Sequence, residues 1–370
     1  MDLSYWEIKS WFSDVDVTIV GSGITGLHAA LRLRERFPAA NILILEKGAL
    51  PEGASTKNAG FACFGSLSEI VDDLKTQSPE DVMRLIAKRR QGLEVLRNRL
   101  GDNTIGLEPN GGYELFETAD SALLEECLAK REEINAMLRS VFGADVFKLE
   151  SNRFGFANIL PTVIFNAFEA QIDTGKMMQA LLLEAYRGNI LILNRQEVTS
   201  HEDLGSHVQV GLGNFSFRTG KLLWATNGFA KELTGGDVNP ARAQVLVTSP
   251  IPDLKIKGTF HLDRGYYYFR NIDNRILLGG GRNLDFEGET TTAFGHTELI
   301  QDRLEKLLKE VILPDVGFTI EQRWSGIMGM GKAKSPVIKA LSDNVGCGVR
   351  LGGMGIAIGS LVGRELADLF

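Results

Sequence analysis

Cysteine is scarce: Cys63, Cys127 and Cys347 are the three in 370 residues, and none stands in a C-x-x-C pair. That pattern excludes a disulfide-stapled scaffold and gives no thiolate zinc site. The five histidines are scattered without ligand-like pairs, so the sequence makes no case for a metal centre. No apolar run approaches the roughly 18 to 20 residues of a membrane span, and the opening MDLSYWEIKSWFSDVDV lacks the basic and apolar regions of a signal peptide. A soluble chain in a reducing cytoplasm is expected. Basic residues are in deficit, 40 Lys and Arg against 47 Asp and Glu for a net charge of -7, the wrong sign for a generic nucleic-acid binder. What is present in quantity is apolar side chain, 44% against 24% charged, which excludes wholesale disorder. At roughly 150 residues per domain the length allows two to three domains.

The pattern along the chain alternates helical and strand-like segments. Val17 to Val20 is a short apolar run suited to a strand buried on both faces. Leu27, Ala30, Leu31 and Leu33 to Phe37 carry apolar residues at helical spacing until Pro38, and Asn41 to Leu45 reads as a second buried strand, completing a βαβ unit. His28 lies on that helix and is expected to be solvated. Ser78, Pro79 and Asp81 form a helix start, after which Val82, Leu85, Ile86, Leu93 and Leu96 mark a core-facing stripe. Further helices are expected over 120–142, 173–186 and 297–311. Strands are expected over 111–118, 190–193 and 222–225, with a strand-rich stretch over 244–278 that turns at Asp273-Asn274. Cys127 reads as a small buried apolar residue.

Between the first strand and helix stand Gly21, Gly23 and Gly26, enclosing Ile24 and Thr25. This G-x-G-x-x-G spacing permits a tight turn, close backbone approach to a pyrophosphate and close helix packing. Glu46 follows twenty residues after Gly26, where a carboxylate accepts hydrogen bonds from a ribose. NAD and FAD share the fingerprint, while the anionic Glu46 would repel the extra phosphate of NADP.

Several separated motifs then resemble the D-amino-acid-oxidase-like superfamily of FAD-dependent oxidoreductases, which includes glycine oxidase, sarcosine oxidase and gamma-glutamylputrescine oxidase. After Glu46-Lys47, the run Gly53 to Phe61, with Ser55, Thr56, Asn58, Ala59 and Gly60, is similar to the family loop that wraps the pyrophosphate and approaches the flavin. Val198 is placed like the residue whose backbone meets adenine, and Ala225-Thr226-Asn227-Gly228 resembles the turn under the cofactor. Trp324-Ser325-Gly326 resembles the W-x-G segment beside the flavin. Gly352-Gly353-Met354-Gly355-Ile356 resembles the terminal loop whose following helix points its positive end at the flavin. Tyr266 to Arg270 resembles a substrate-domain strand.

The resemblance implies a Rossmann-like FAD domain and a substrate domain built on an antiparallel sheet, an α/β and α+β arrangement. The expected division assigns 1–105, 160–238 and 320–370 to FAD, and 106–159 and 239–319 to substrate. It implies oxidation of the C–N bond of an amine or amino acid by hydride transfer to flavin N5, with dioxygen or another electron acceptor as partner. Alternatives are a dehydrogenase using a non-oxygen acceptor or a 2-hydroxy acid, or a flavin-binding subunit of a complex. The departures bear on substrate. Met328 stands where amino acid oxidases carry a carboxylate-binding arginine, and a thioether cannot make that ion pair. Arg270 is the candidate substitute, sharing a strand face with Tyr266 and Tyr268, though pairing with a surface carboxylate is an equal alternative. Gly326 replaces a flavin-tethering cysteine, which implies non-covalent FAD, and Leu277 replaces an oxygen-activating lysine. Cys63 reads as a buried structural thiol or as a residue facing the flavin.

Overall fold

The computed structural model describes residues 2–370 and is built around two eight-stranded sheets. In the first, Val15–Val20 lies between Ile42–Glu46 and Phe215–Trp224, parallel to both. Val345–Val349 and Leu191–Asn194 extend it on either side, also in parallel. These central strands are buried almost throughout, as parallel strands covered on both faces must be. The covering helix Ile24–Arg36 packs against the C-terminal helix Gly355–Ala367 through glycines: a Cβ on Gly363 would lie 2.4 Å from the Thr25 carbonyl oxygen. Two small residues at this crossing let the backbones meet.

The second sheet runs Ile320–Met330, Asn239–Thr248, Arg275–Gly280, Tyr267–Ile272, Thr259–Leu262, Gly112–Glu114, Thr162–Asn166 and Phe147–Ser151. All its pairs are antiparallel except Thr259–Leu262 with Gly112–Glu114. Asp273 and Asn274 both take positive φ in its hairpin, the backbone a tight two-residue turn requires. Alternation divides the faces. Tyr267, Phe269, Leu246 and Leu278 join the core under the Glu298–Leu307 helix, while Tyr268, Val245 and Leu277 face the opposite way, against Ala59 and Phe61. Thr162–Asn166 and Ile320–Met330, which lie in the 160–238 and 320–370 segments of the expected division, pair in the second sheet.

His28 corrects an expectation. It is 1% exposed, with Nδ1 2.8 Å from the Ile24 carbonyl oxygen. Burial drives its pKa down to about 4, so it is a neutral core residue. Ile24, Leu27 and Leu31 share its helix face, which the C-terminal helix covers.

Candidate active site

A cavity of about 760 Å³ opens between the two sheets, at the C-terminal end of Val15–Val20. In open parallel sheets ligands bind at this edge. Gly21 turns the chain there at φ +103°, its N–H donating to the Leu45 carbonyl oxygen at 2.8 Å. Gly23, Ile24 and Thr25 line the wall, and the Ser55 hydroxyl accepts from the Ile24 N–H at 2.9 Å. Thus the 53–61 loop is tied directly to the start of the first helix. Gly26 lies outside the wall and acts from behind: a Cβ there would stand 1.9 Å from the Gly21 carbonyl oxygen.

Glu46 reaches the cavity with its carboxylate already engaged. Oε2 accepts from the Ser22 N–H and hydroxyl at 3.0 and 2.8 Å, and Oε1 from the Gly48 and Glu52 N–H groups at 3.0 and 3.4 Å. It therefore braces the glycine turn. Lys47 places its ammonium 4.1 Å from the Phe229 ring centroid, a cation–π contact at the rim.

Of the remaining expected cofactor residues, Asn58, Ala59, Phe61, Val198, Ala225, Thr226, Gly228, Gly326, Gly353, Met354, Gly355 and Ile356 line the same cavity. Thr56, Gly60 and Trp324 do not, and each has an evident supporting contact. The Thr56 hydroxyl donates to the Pro51 carbonyl, and the Gly60 N–H donates to Asn58 Oδ1. Trp324 Nε1 donates to the Lys57 carbonyl at 2.9 Å, so the second sheet holds the loop from above. Gly355 and Ile356 begin a 13-residue helix whose first N–H groups have no acceptor within the helix.

The roof is formed by Tyr266, Tyr268 and Met328. Burial raises Tyr268 to about 12, so it remains a neutral phenol; its ring meets Phe61 edge-on at 5.6 Å. Arg270 corrects the expected grouping. It shares the Tyr268 face, but two residues carry it roughly 6.6 Å further along the strand, and it leaves the cavity wall. Its Nη2 lies 3.2 Å from where a Gly60 Cβ would be, its Nε is buried without a partner, and burial lowers its pKa to about 10.

The structure adds residues that the sequence reading did not single out. His261 lines the cavity and bonds Glu169 Oε2 through Nε2 at 2.8 Å. Glu169 also accepts from the Thr259 hydroxyl at 3.0 Å and Asn166 Nδ2 at 3.3 Å. Burial alone would lower the His261 pKa, but Glu169, by charge and hydrogen bond, with Glu69 and Glu114 behind it, pushes it up to about 9. At neutral pH it is a buried imidazolium. Because its folded pKa exceeds the ordinary histidine value of 6.5, the stability it contributes is present below about 6.5 and lost as pH rises through about 9. Melting temperatures measured across this range are expected to fall at its alkaline end; a flat or rising trend would contradict the pairing.

Cys63 also lines the cavity, with Sγ 3.3 Å from Met354 Sδ. Burial holds its pKa well above the ordinary thiol value, so it stays protonated and unreactive. Glu69 and Arg89 complete this end of the cavity. Glu69 belongs to the helix Leu67–Asp73, absent from the sequence reading although Ser66 and Glu69 form a capping box there.

The walls fit a dinucleotide. Thr25 Oγ1, Thr226 Oγ1 and Trp224 Nε1 are buried in cavity-lining residues without partners, and phosphate, ribose and ring groups supply what such atoms need. The chain matches the family described as FAD dependent oxidoreductase over residues 16–369 and belongs to it. It is therefore a flavoenzyme, with FAD as cofactor. It is 24% identical to gamma-glutamylputrescine oxidoreductase of Escherichia coli, over 96% of this chain and 83% of that protein. Glycine oxidase of Geobacillus kaustophilus superposes with a TM-score of 0.75 at 20% identity, covering 96% and 94% of the two chains. L-proline dehydrogenase of P. horikoshii gives 0.72 at 15%, covering 96% and 93%. These likenesses support the Rossmann-like fold. No helix among the described residues is long and apolar enough to cross a membrane.

Proposed function

We propose that this chain oxidises the C–N bond of a small amine or amino acid. The observation that carries the reading is the roof: Tyr266, Tyr268 and Met328 face Met354 to Ile356 across one cavity. Two phenols and one thioether form a lid that excludes water while leaving a hydroxyl to orient a nitrogen. FAD, when bound, supplies the acceptor for the hydride that leaves the carbon beside that nitrogen. The substrate nitrogen must arrive neutral, and Tyr268, itself neutral, can accept or donate a hydrogen bond to it without imposing charge. The resulting imine takes up water to give a carbonyl compound and ammonia or an amine. Asn58, Ser55 and Trp324 fix the loop that Phe61 carries under the roof. Gly326 offers no thiol, and a Cβ there would meet the Lys57 Cβ at 2.8 Å, which supports non-covalent FAD.

An absorbance spectrum before and after acid precipitation tests the cofactor: flavin released to the supernatant is expected. Anaerobic titration with amines, amino acids of both hands and 2-hydroxy acids then identifies the compound that bleaches the spectrum. Bleaching by hydroxy acids alone would overturn the C–N assignment. A second reading, transfer of electrons to a carrier other than dioxygen, is favoured by Leu277, which sits in an apolar cluster with Ala59 and Val245. Stopped-flow reoxidation in aerated buffer separates the two, turnover-competent rates opposing the carrier reading.

A further inference from the structure

Every cation but one of the Pro79–Leu100 helix is paired with a carboxylate, Arg99 with Glu35 among them. Arg84 pairs with Asp81, Lys88 with Glu365, Arg90 with Glu94 and Arg97 with Asp102. Arg89 differs: it is 5% exposed, lines the cavity, and has no carboxylate within 4 Å among the described residues. Its one hydrogen bond runs from Nη1 to the Phe64 carbonyl at 2.8 Å. A guanidinium has five N–H donors, so most of its capacity is unused. The charges of Glu69 and Asp73 favour Arg89, but neither carboxylate comes within ion-pair distance, so a buried guanidinium that faces the cavity with unused donors is completed by an anion brought from outside.

The surroundings fix where that anion lies. Phe64 follows Cys63, whose sulfur touches Met354 at the start of the C-terminal helix. Gly92, on the same helix face as Arg89, packs so closely that its Cβ would stand 2.3 Å from the Ala357 carbonyl oxygen. Arg89 is thereby held beside the first turn of that helix, whose positive end adds to the field. The neighbouring sulfurs carry no competing charge. The other fully buried cation in the wall, His261, already has Glu169.

We infer that Arg89 is the specificity-determining cation of this pocket and that it receives the carboxylate of the substrate. The inference rests on the proposed C–N oxidation and narrows it to carboxylate-bearing amines. Met328 closes the pocket without taking that role. Glu69 lines the same end, favours the Arg89 charge and competes with the anion, and thereby limits binding to ligands that also bring positive charge.

The test titrates the FAD-loaded enzyme with acetate and benzoate, which cannot be oxidised, and follows the flavin absorbance. Saturable perturbation is expected. Arg89→Met is expected to weaken it about 10- to 100-fold, the worth of a hydrogen-bonded charge, and Arg89→Lys less. Glu69→Gln keeps the Arg89 side chain while withdrawing the nearby acid whose charge favours it, and is expected to tighten carboxylate binding several-fold, so the inference stays testable if Arg89→Met does not fold. Absence of any perturbation in an enzyme that amines still bleach would overturn this inference and leave the proposed function standing. So would a changed flavin reduction potential in Arg89→Met with unchanged carboxylate affinity. A protein that takes up no FAD would defeat the proposed function first, before any carboxylate is added.

Discussion

Gly26→Ala is expected to abolish FAD uptake and to destabilise the protein by about 3 kcal/mol, the upper part of the range for overpacking. Two effects oppose one another. Alanine in a helix is favoured over glycine by roughly 1 kcal/mol, and Gly26 sits within Ile24–Arg36 at a negative φ. Steric contact decides the sign, because the new methyl would stand 1.9 Å from the Gly21 carbonyl oxygen and 3.4 Å from Ile19 Cγ2. Both neighbours belong to the buried strand and the turn that follows it, and neither can give without moving the other. Relief requires the helix to lift from the sheet, which displaces the Ile24 N–H from Ser55 and opens the 53–61 loop. Gly53→Ala is the control in the same loop, since nothing lies within 4 Å of its added methyl; its change is expected within about 0.5 kcal/mol. Denaturant unfolding and flavin absorbance of the two variants check the contrast, and equal behaviour would show that the glycine spacing is incidental.

The glycine turn was legible because its constraints are local. Gly21, Gly23 and Gly26 are specified by distances within one turn, and Glu46 by the length of one βαβ unit. The same holds for the Ser78 cap, whose side chain accepts from the Asp81 N–H, and for the Asp273-Asn274 hairpin. Residues fixed by long-range packing were less visible. Arg270 alternates as expected, but alternation sets the face and says nothing of where along a strand the cavity ends. His261 and Glu169 stand far apart in sequence, and neither has a neighbour that marks it. Arg89 did carry a signal. It falls three residues after Ile86 and four before Leu93, in the apolar stripe of a helix whose other buried positions are Val82, Leu85, Gly92 and Leu96. A lone charge in such a stripe either breaks the helix pattern or points at something. His28 interrupts the Ile24, Leu27 and Leu31 face in the same way, and there the answer is a neutral imidazole.

Glu169→Ala is expected to cost about 3 to 5 kcal/mol, because removing one partner leaves the other charge buried without compensation. The loss extends beyond His261: the Thr259 hydroxyl and Asn166 amide lose an acceptor in the same step. Glu169→Gln separates charge from shape. It keeps an oxygen for Thr259 while withdrawing the negative charge, and burial, the largest influence on the imidazole, then pulls its pKa down. The sign of the pH dependence should reverse. In the parent, stability contributed by His261 is lost as pH rises through about 9. With a depressed folded pKa, the neutral imidazole is favoured in the native state, and stability is instead lost as pH falls below the ordinary histidine value. The His261 contribution should therefore fall toward the alkaline end in the parent and toward the acid end in Glu169→Gln, as melting curves taken on both sides of the ordinary histidine value would show. Parallel slopes would mean that Glu69 and Glu114 suffice to keep His261 charged, and that the Glu169 hydrogen bond orients the ring without setting its protonation.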